Sequence, residues 1–256
     1  MTRDRKHIRD ARTALLSGIG VPEKCTFVPD AFQLEAIENL AQGFDTLVVA
    51  PTGAGKTYIA VQAIERTVRE GKRAVYTAPL KALSNAKYAE FRARFEPEFR
   101  VGLLTGDRKI EGDADIVVAT TEIYRNELYS FRGSYSLVVL DELHYLADPQ
   151  RGPVWEESII LAPQSAALLM LSASISNPGE IAAWIGEVRN RDVRTVIIRE
   201  RPVELRFGFL HPELGVIPLA DRSGNLNRDV DEFYSRGPSN WRGGKRMRYG
   251  GRRRRR

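Results

Sequence analysis

The stretch "LVVAPTGAGKTYIA", residues 47–60, decides the fold. Its opening apolar residues have the composition of a buried strand. Glycines follow at 53 and 55, then Lys56 and Thr57 lead a run with helical spacing. A strand, a glycine-bearing loop and Gly-Lys-Thr at the head of a helix make the P-loop arrangement. Thr52, Gly53, Ala54 and Gly55 would wrap the backbone closely around phosphate oxygens, with N–H groups pointing inward and the helix N-terminus adding partial positive charge. Lys56 is placed to reach the β- and γ-phosphates and Thr57 to ligate Mg²⁺, so ATP with Mg²⁺ is the expected cofactor. Ala50 stands where the usual pattern begins with glycine. The bland alternative is a glycine turn between strand and helix. Position, the Gly-Lys-Thr triplet and the flanking elements all speak against it.

Working outward, "LVVLDELHYL" at 137–146 runs four apolar residues straight into Asp141 and Glu142. Alone, such a pair could be a solvated strand end. Downstream of a P-loop, Asp141 fits a carboxylate delivered to the magnesium, acting through a water. Glu142 then stands where it can orient and deprotonate an attacking water.

Short β-type runs recur at 46–50, 73–78, 100–105, 115–120, 136–141, 167–173 and 195–199. Most are continuously apolar, as in strands covered on both faces of a parallel sheet. Helical periodicity falls between them at 56–70, 80–95, 122–131, 154–162 and 178–186, and "PDAFQLEAIENLAQG" reads as a further helix that Asp30 could cap and Gly43 could end. The expected class is α/β, a mostly parallel sheet with helices on both faces. The pattern fades after about residue 206. Residues 1–25 read as an N-terminal extension, 26–206 as the nucleotide-binding domain, 207–235 as irregular, and 236–256 as a disordered Arg/Gly-rich tail.

The chain has 256 residues and a formal net charge of +6. Ten of its Lys and Arg lie in 236–256, which holds no acid, so residues 1–235 carry −4. The basic character belongs to the tail, where Trp241 and Tyr249 could stack on bases. A solubilising end is the plainer alternative. Cys25 is the single cysteine, which excludes an internal disulfide and makes the cytoplasm the default compartment. No apolar run reaches the ~18 residues of a membrane span, and the charged start, "MTRDRKHIRDAR", lacks the apolar stretch of a secretion signal. His7 and His211 have no plausible ligand partners, so no metal beyond Mg²⁺ is expected.

"DELH" resembles the box of superfamily 2 helicases of the Asp-Glu-x-His type. The longer "VVLDELHYLADPQRGPVWEESII" at 138–160 is similar to the Ski2-like group, which includes the exosome-associated RNA helicases. Other stretches agree in order: "FVPDAFQLEAI" with the adenine-reading segment, "TAPLKALSNAKY", "GLLTGD" and "VVATTEIYRNELY" with nucleic-acid-contacting motifs, and "LSASISNPGEIAAWIG" with the coupling motif. The resemblance covers about residues 26 to 205. It implies a RecA-like lobe in which Gln33 hydrogen-bonds the adenine edge and Phe27 stacks on the ring. The rival readings are a surface helix residue for Gln33 and a core aromatic for Phe27.

The resemblance further implies that Pro79, Lys81, Ala82, Gly106, Thr120, Thr121 and Glu122 meet a nucleic-acid backbone, where ordinary turn and capping chemistry is the rival. It makes His144, Ser172, Ala173 and Ser174 coupling residues. Ser174 stands where the family usually has Thr, and its hydroxyl is expected to bond Asp141 or His144.

Such helicases resemble two RecA-like lobes with ATP between them, and nothing after residue 206 reads as the second. The expectation is therefore nucleotide binding, weak hydrolysis at best and no processive unwinding by this chain alone. A second lobe would be absent or supplied in trans. Single-stranded RNA is the expected partner, with DNA possible and no membrane. A non-catalytic nucleic-acid-binding module and a DNA helicase of the same superfamily remain open at this point.

Overall fold

The uninterrupted apolar runs become strands with both faces covered. A computed structural model describes residues 5–17, 27–130, 134–201, 205–221 and 223–236. These fall into two compact units, one of the described residues within 27–203 and one of those within 1–26 and 204–256.

The larger unit holds β1 (Asp45–Val49), β2 (Ala74–Ala78), β3 (Val101–Leu104), β4 (Lys109–Ile110), β5 (Ile116–Thr120), β6 (Leu137–Leu140), β7 (Ala167–Ser172) and β8 (Val193–Ile197). They make one sheet in the order β4-β3-β5-β2-β6-β7-β1-β8. Only β3 and β4 pair antiparallel. Every residue of β1, β2, β3, β5 and β6 is buried, which is why their sequences do not alternate.

Helices cover both faces. We label them from the N-terminus of the chain, with α1 (Arg5–Leu16) in the smaller unit. One face of the sheet carries α2 (Ala31–Ala41), α3 (Lys56–Arg69) and α4 (Lys81–Phe95), through Phe32, Ile59, Ile64 and Phe91. The other carries α5 (Thr121–Tyr129), α6 (Gly152–Ile160) and α7 (Pro178–Arg189), through Tyr124, Trp155, Ile159 and Ile185. Successive strand residues feed opposite cores: Val48 faces the first, Leu47 and Val49 the second. The α/β class read from the sequence is what the structure has.

A buried ion pair anchors the P-loop strand at its start. Asp45 Oδ2 accepts from Arg189 Nε at 2.7 Å, and Asp45 Oδ1 accepts the Leu168 N–H at 2.9 Å. Arg189 also donates to the carbonyls of Ala162 and Ala166. One guanidinium thus ties β1, the end of α7 and the loop entering β7.

The structure differs from the sequence reading mainly outside this sheet. The 207–235 stretch, read as irregular, carries an antiparallel hairpin of β9 (Gly208–His211) and β10 (Gly215–Pro218), then α8 (Arg228–Arg236). Within the smaller unit, α1 packs beside β10, and Arg206 donates to the Ser17 carbonyl at 2.6 Å. The tail reading at 236–256 falls, apart from residue 236, outside the described residues. No helix among the described residues is long and apolar enough to cross a membrane.

Candidate functional site

The parallel strands all end on one edge of the sheet, and the candidate motifs follow those ends. The P-loop follows β1, Pro79–Ala82 follows β2, Gly106 follows β3, Thr120–Glu122 spans the end of β5, Asp141–Glu142 follows β6 and Ser172–Ser174 spans the end of β7. Ligand crevices of open α/β sheets lie at this edge. Strand β6 does not adjoin β1. Strand β7 stands between them, so the acids reach the loop across one intervening strand.

The P-loop turns at Gly53 (φ +91°) and Gly55 (φ +79°), a conformation that suits glycine. A Cβ on Gly55 would lie 2.5 Å from Gln33 Nε2. Gln33 is buried, and its amide donates to the carbonyls of Ala54 and Gly55, both at 3.2 Å. Its Oε1 accepts the Asp30 N–H at 2.9 Å. The first turn of α2 is thereby bolted to the loop. Phe27 lies open, 61% exposed, with its ring 4.8 Å from that of Tyr58. Lys56 folds its ammonium onto the carbonyls of Ala50 (2.6 Å) and Pro51 (3.2 Å). Burial lowers its pKa from the ordinary lysine value, and Glu142 and Asp141 pull the other way. The loop's own ammonium is thus partly dehydrated, near two carboxylates, at the mouth of a glycine turn.

Asp141 is held from two sides. Its Oδ2 accepts from the Tyr76 hydroxyl at 2.5 Å, and its Oδ1 accepts the Glu142 N–H at 2.9 Å. Glu142 takes the left-handed backbone (φ 55°, ψ 47°), rare for a side chain of its size and a conformation that concentrates at functional sites. Burial raises the Glu142 pKa, Asp141 adds to the rise, and His144 and Lys56 oppose it. His144 Nδ1 lies 3.1 Å from Glu142 Oε2, near enough to pair but not aligned as a hydrogen bond. A strained, half-buried carboxylate with a raised pKa is suited to taking a proton.

Thr57 and Asp141 offer a hydroxyl and a carboxylate oxygen, hard donors of the kind that suits Mg²⁺. Among the described residues no group of three or more His, Cys, Asp or Glu is placed to hold a metal ion by itself. Mg²⁺ commonly shares its shell between one or two carboxylates and nucleotide phosphates, and this donor set fits that habit.

The string after Glu142 packs as one piece. Tyr145 stacks on Trp155 at 5.4 Å, with the His144 ring 4.9 Å away and Arg151 over its face. Gly152 begins α6 against the Leu146 carbonyl, leaving no room for a Cβ.

At the other candidate positions, Lys81 is exposed and pairs with Asp107 at 3.2 Å. Gly106 lies against the end of Lys81, Pro79 is buried and Ala82 is exposed. Thr120 and Thr121 are buried, and the Thr121 hydroxyl has no hydrogen-bond partner among the described residues. Glu122 sits half-buried in the first turn of α5. Ser172 is buried and donates to the Ser174 carbonyl, Ala173 is half-buried, and Ser174 is exposed. The hydrogen bond expected from Ser174 to Asp141 or His144 is not found among the described residues. Tyr76 and the Glu142 amide occupy the carboxylate instead.

Two side chains absent from the sequence reading belong to this neighbourhood. One is Tyr76. The other is Lys87, whose ammonium donates to Thr57 Oγ1 at 3.3 Å and to Glu90 at 2.8 Å. The apolar strand pattern hid the hydroxyl of Tyr76, and helical spacing alone gave no sign of where Lys87 points.

Known proteins share much of this sequence and its fold. The chain is 46% identical over 215 residues to the DExH-box ATP-dependent RNA helicase DExH15, chloroplastic, of Arabidopsis thaliana, covering 80% of this chain and 18% of that protein. It is 45% identical to the probable helicase HelY of Mycobacterium leprae (70% of this chain, 20% of that one). It is 41% identical to the antiviral helicase SKI2 of Saccharomyces cerevisiae (72% and 14%). The chain thus spans a fifth or less of these relatives' lengths. A crystal structure of the DUF1998 helicase MrfA bound to DNA shares the fold, with a TM-score of 0.56 at 22% identity over 73% of this chain and 29% of that one. Residues 30–181 match the DEAD/DEAH box helicase family. The chain belongs to that family, and the relatives named here are Ski2-like DExH-box helicases.

Proposed function

We propose that this chain is the ATP-binding, RecA-like lobe of an ATP-dependent RNA helicase, binding ATP with Mg²⁺ and single-stranded RNA. One observation carries the reading: the P-loop, the Asp141–Glu142 pair and the turn bearing Lys81 share one edge of one sheet. The nucleotide-binding lobe is residues 26–206, with 1–25 and 207–256 as appendages.

In this reading Thr52, Gly53, Ala54 and Gly55 give their backbone to the phosphates, and Lys56 leaves the Ala50 carbonyl to meet the β- and γ-phosphates. Thr57 and Asp141 hold Mg²⁺, which when bound neutralises phosphate charge. Glu142 accepts the proton of the attacking water. Phe27 stacks on the adenine and the Gln33 amide reads its edge, while its P-loop bonds keep loop and base in register. Lys81, Ala82 and Gly106 take the RNA backbone. Pro79, Thr120, Thr121 and Glu122 shape the two turns behind them. His144, Ser172, Ala173 and Ser174 pass the nucleotide state to a second RecA-like lobe. An arginine for the γ-phosphate would come from that lobe.

RNA is favoured over DNA because relatives of 46% and 42% identity carry RNA helicase in their names. The single cysteine favours a reducing compartment such as the cytoplasm. The experiment is ATP hydrolysis by the purified chain, with and without single-stranded RNA, beside Glu142→Gln. RNA-stimulated turnover lost in the variant supports the reading. Failure to bind any nucleotide sinks it.

A further inference from the structure

Both residues assigned to the metal, Thr57 and Asp141, are touched by side chains from a single segment, residues 74–95. Tyr76, on β2, donates its hydroxyl to Asp141 at 2.5 Å. Lys87, on α4, donates its ammonium to Thr57 Oγ1 at 3.3 Å. Neither contact is local: 65 residues separate Tyr76 from Asp141 and 30 separate Lys87 from Thr57.

The same segment carries the turn assigned to RNA. Lys81 opens α4, and Lys87 lies six residues on, about 9 Å along the axis. Ser84, buried between them, donates to the Ala119 carbonyl at 3.2 Å, beside the second such turn at Thr120. The segment is stiff. The buried rings of Tyr76 and Phe91 meet edge to face at 5.3 Å, locking strand to helix. The turn, Tyr76 and Lys87 thus belong to one packed strand–helix unit.

What those two side chains do follows from their chemistry. Each carboxylate oxygen offers two acceptor sites, so Tyr76 fixes the rotamer of Asp141 while leaving it free to bind further. Lys87 puts a positive charge on the hydroxyl oxygen that a cation would need. Glu90, already 2.8 Å from Lys87, holds the ammonium when it leaves Thr57.

We propose that residues 74–95 are the link through which RNA and the metal–nucleotide complex sense each other, with Tyr76 and Lys87 as its positioning residues. This rests on the function proposed above. Engagement of the turn moves Lys87 off Thr57 toward Glu90 and seats Asp141 through Tyr76, so RNA tightens Mg²⁺–nucleotide binding. By linkage, Mg²⁺–nucleotide tightens RNA binding by the same factor.

The test is a thermodynamic cycle on the full chain. Affinity for a fluorescent, non-hydrolysable ATP analogue is measured with Mg²⁺ and in EDTA, each with and without saturating poly(U). In the wild type, RNA raises Mg²⁺-dependent affinity by ~5-fold or more, the lower end of ordinary coupling, and does so much less in EDTA. Tyr76→Phe and Lys87→Met each bring the ratio toward one. Lys87→Arg, which retains a cationic donor, and Arg92→Ala, on the solvent side of α4, stay near the wild-type ratio. Because each ratio is taken against the same variant without RNA, a general loss of nucleotide affinity does not imitate the effect. Wild-type ratios in both Tyr76→Phe and Lys87→Met, or a ratio of one in the wild type, overturn the link and leave the function standing. A wild-type chain that binds neither ligand overturns the function, and the link with it.

Discussion

Arg189 and Asp45 meet at 2.7 Å with neither side chain exposed. Asp45 is the first residue of the P-loop strand, and the guanidinium also satisfies carbonyls at 162 and 166. Removing Arg189 leaves the buried Asp45 carboxylate with Arg191 alone, 3.3 Å away and partly exposed, which costs about 3 kcal/mol, the low end for breaking a buried pair. Arg189→Met should lower unfolding stability by about that amount in urea titration. A loss within the ±0.5 kcal/mol of an ordinary surface substitution would show that the pair is not the anchor described here.

Two glycines in neighbouring helices should respond with opposite sign. A Cβ on Gly152 would lie 2.6 Å from the Leu146 carbonyl oxygen, a backbone atom that cannot swing aside. Gly152→Ala should destabilise by about 1–3 kcal/mol, as overpacking does, and should disturb the Tyr145–Trp155 stack in near-ultraviolet dichroism. A Cβ on Gly179 meets nothing within 4 Å among the described residues. Gly179→Ala should stabilise by about 0.4–1 kcal/mol through the unfolded chain. Equal effects at the two sites would mean that the Leu146 contact is not felt.

The central sheet was legible because strands covered on both faces leave continuous apolar runs such as Leu137–Leu140, and the P-loop was legible because its chemistry is local in sequence. The hairpin Gly208–Pro218 was not, since its strands have four residues each and carry glycine and proline. Helix α8 did leave a signal. Val230, Phe233 and Tyr234 hold helical spacing, but the acids between them and the arginines at either end masked it. The partners of Asp45 and Asp141 were beyond reach for another reason. They are 144 and 65 residues away and meet only once the strands pair.

Glu142 should be a source of instability as well as of chemistry. Its folded pKa is raised, chiefly by burial, so the fold prefers it protonated. The penalty is absent below the unfolded value, grows as pH rises through that value, and is complete above the folded one. Glu142→Gln should therefore raise the melting temperature near neutral pH, and the gain should fade as the solution is acidified toward the ordinary carboxylate range. Thermal melts of both proteins across pH decide this. A gain that persists unchanged in acid would assign it to something other than the buried charge.

Lys81 reaches the proposed RNA backbone only by leaving Asp107. Both side chains are more than half exposed, and the Thr105 hydroxyl donates to the same Asp107 oxygen at 2.8 Å. The Thr105 hydroxyl, then Lys81, draw the Asp107 pKa below its ordinary value, so the carboxylate is charged and competes with phosphate for the ammonium near neutral pH. Lys81→Ala should weaken single-stranded RNA binding and flatten the dependence of log K on log salt by ~0.7, one phosphate contact. Asp107→Asn should strengthen binding. Part of that gain comes from removing a negative charge near the RNA and needs no lysine. The part that frees Lys81 must disappear when Lys81 is already alanine, so the gain should be larger in the wild-type background than in Lys81→Ala. Fluorescence anisotropy with a labelled oligonucleotide on the four proteins completes the cycle. Equal gains in both backgrounds would show that Asp107 repels RNA without restraining Lys81.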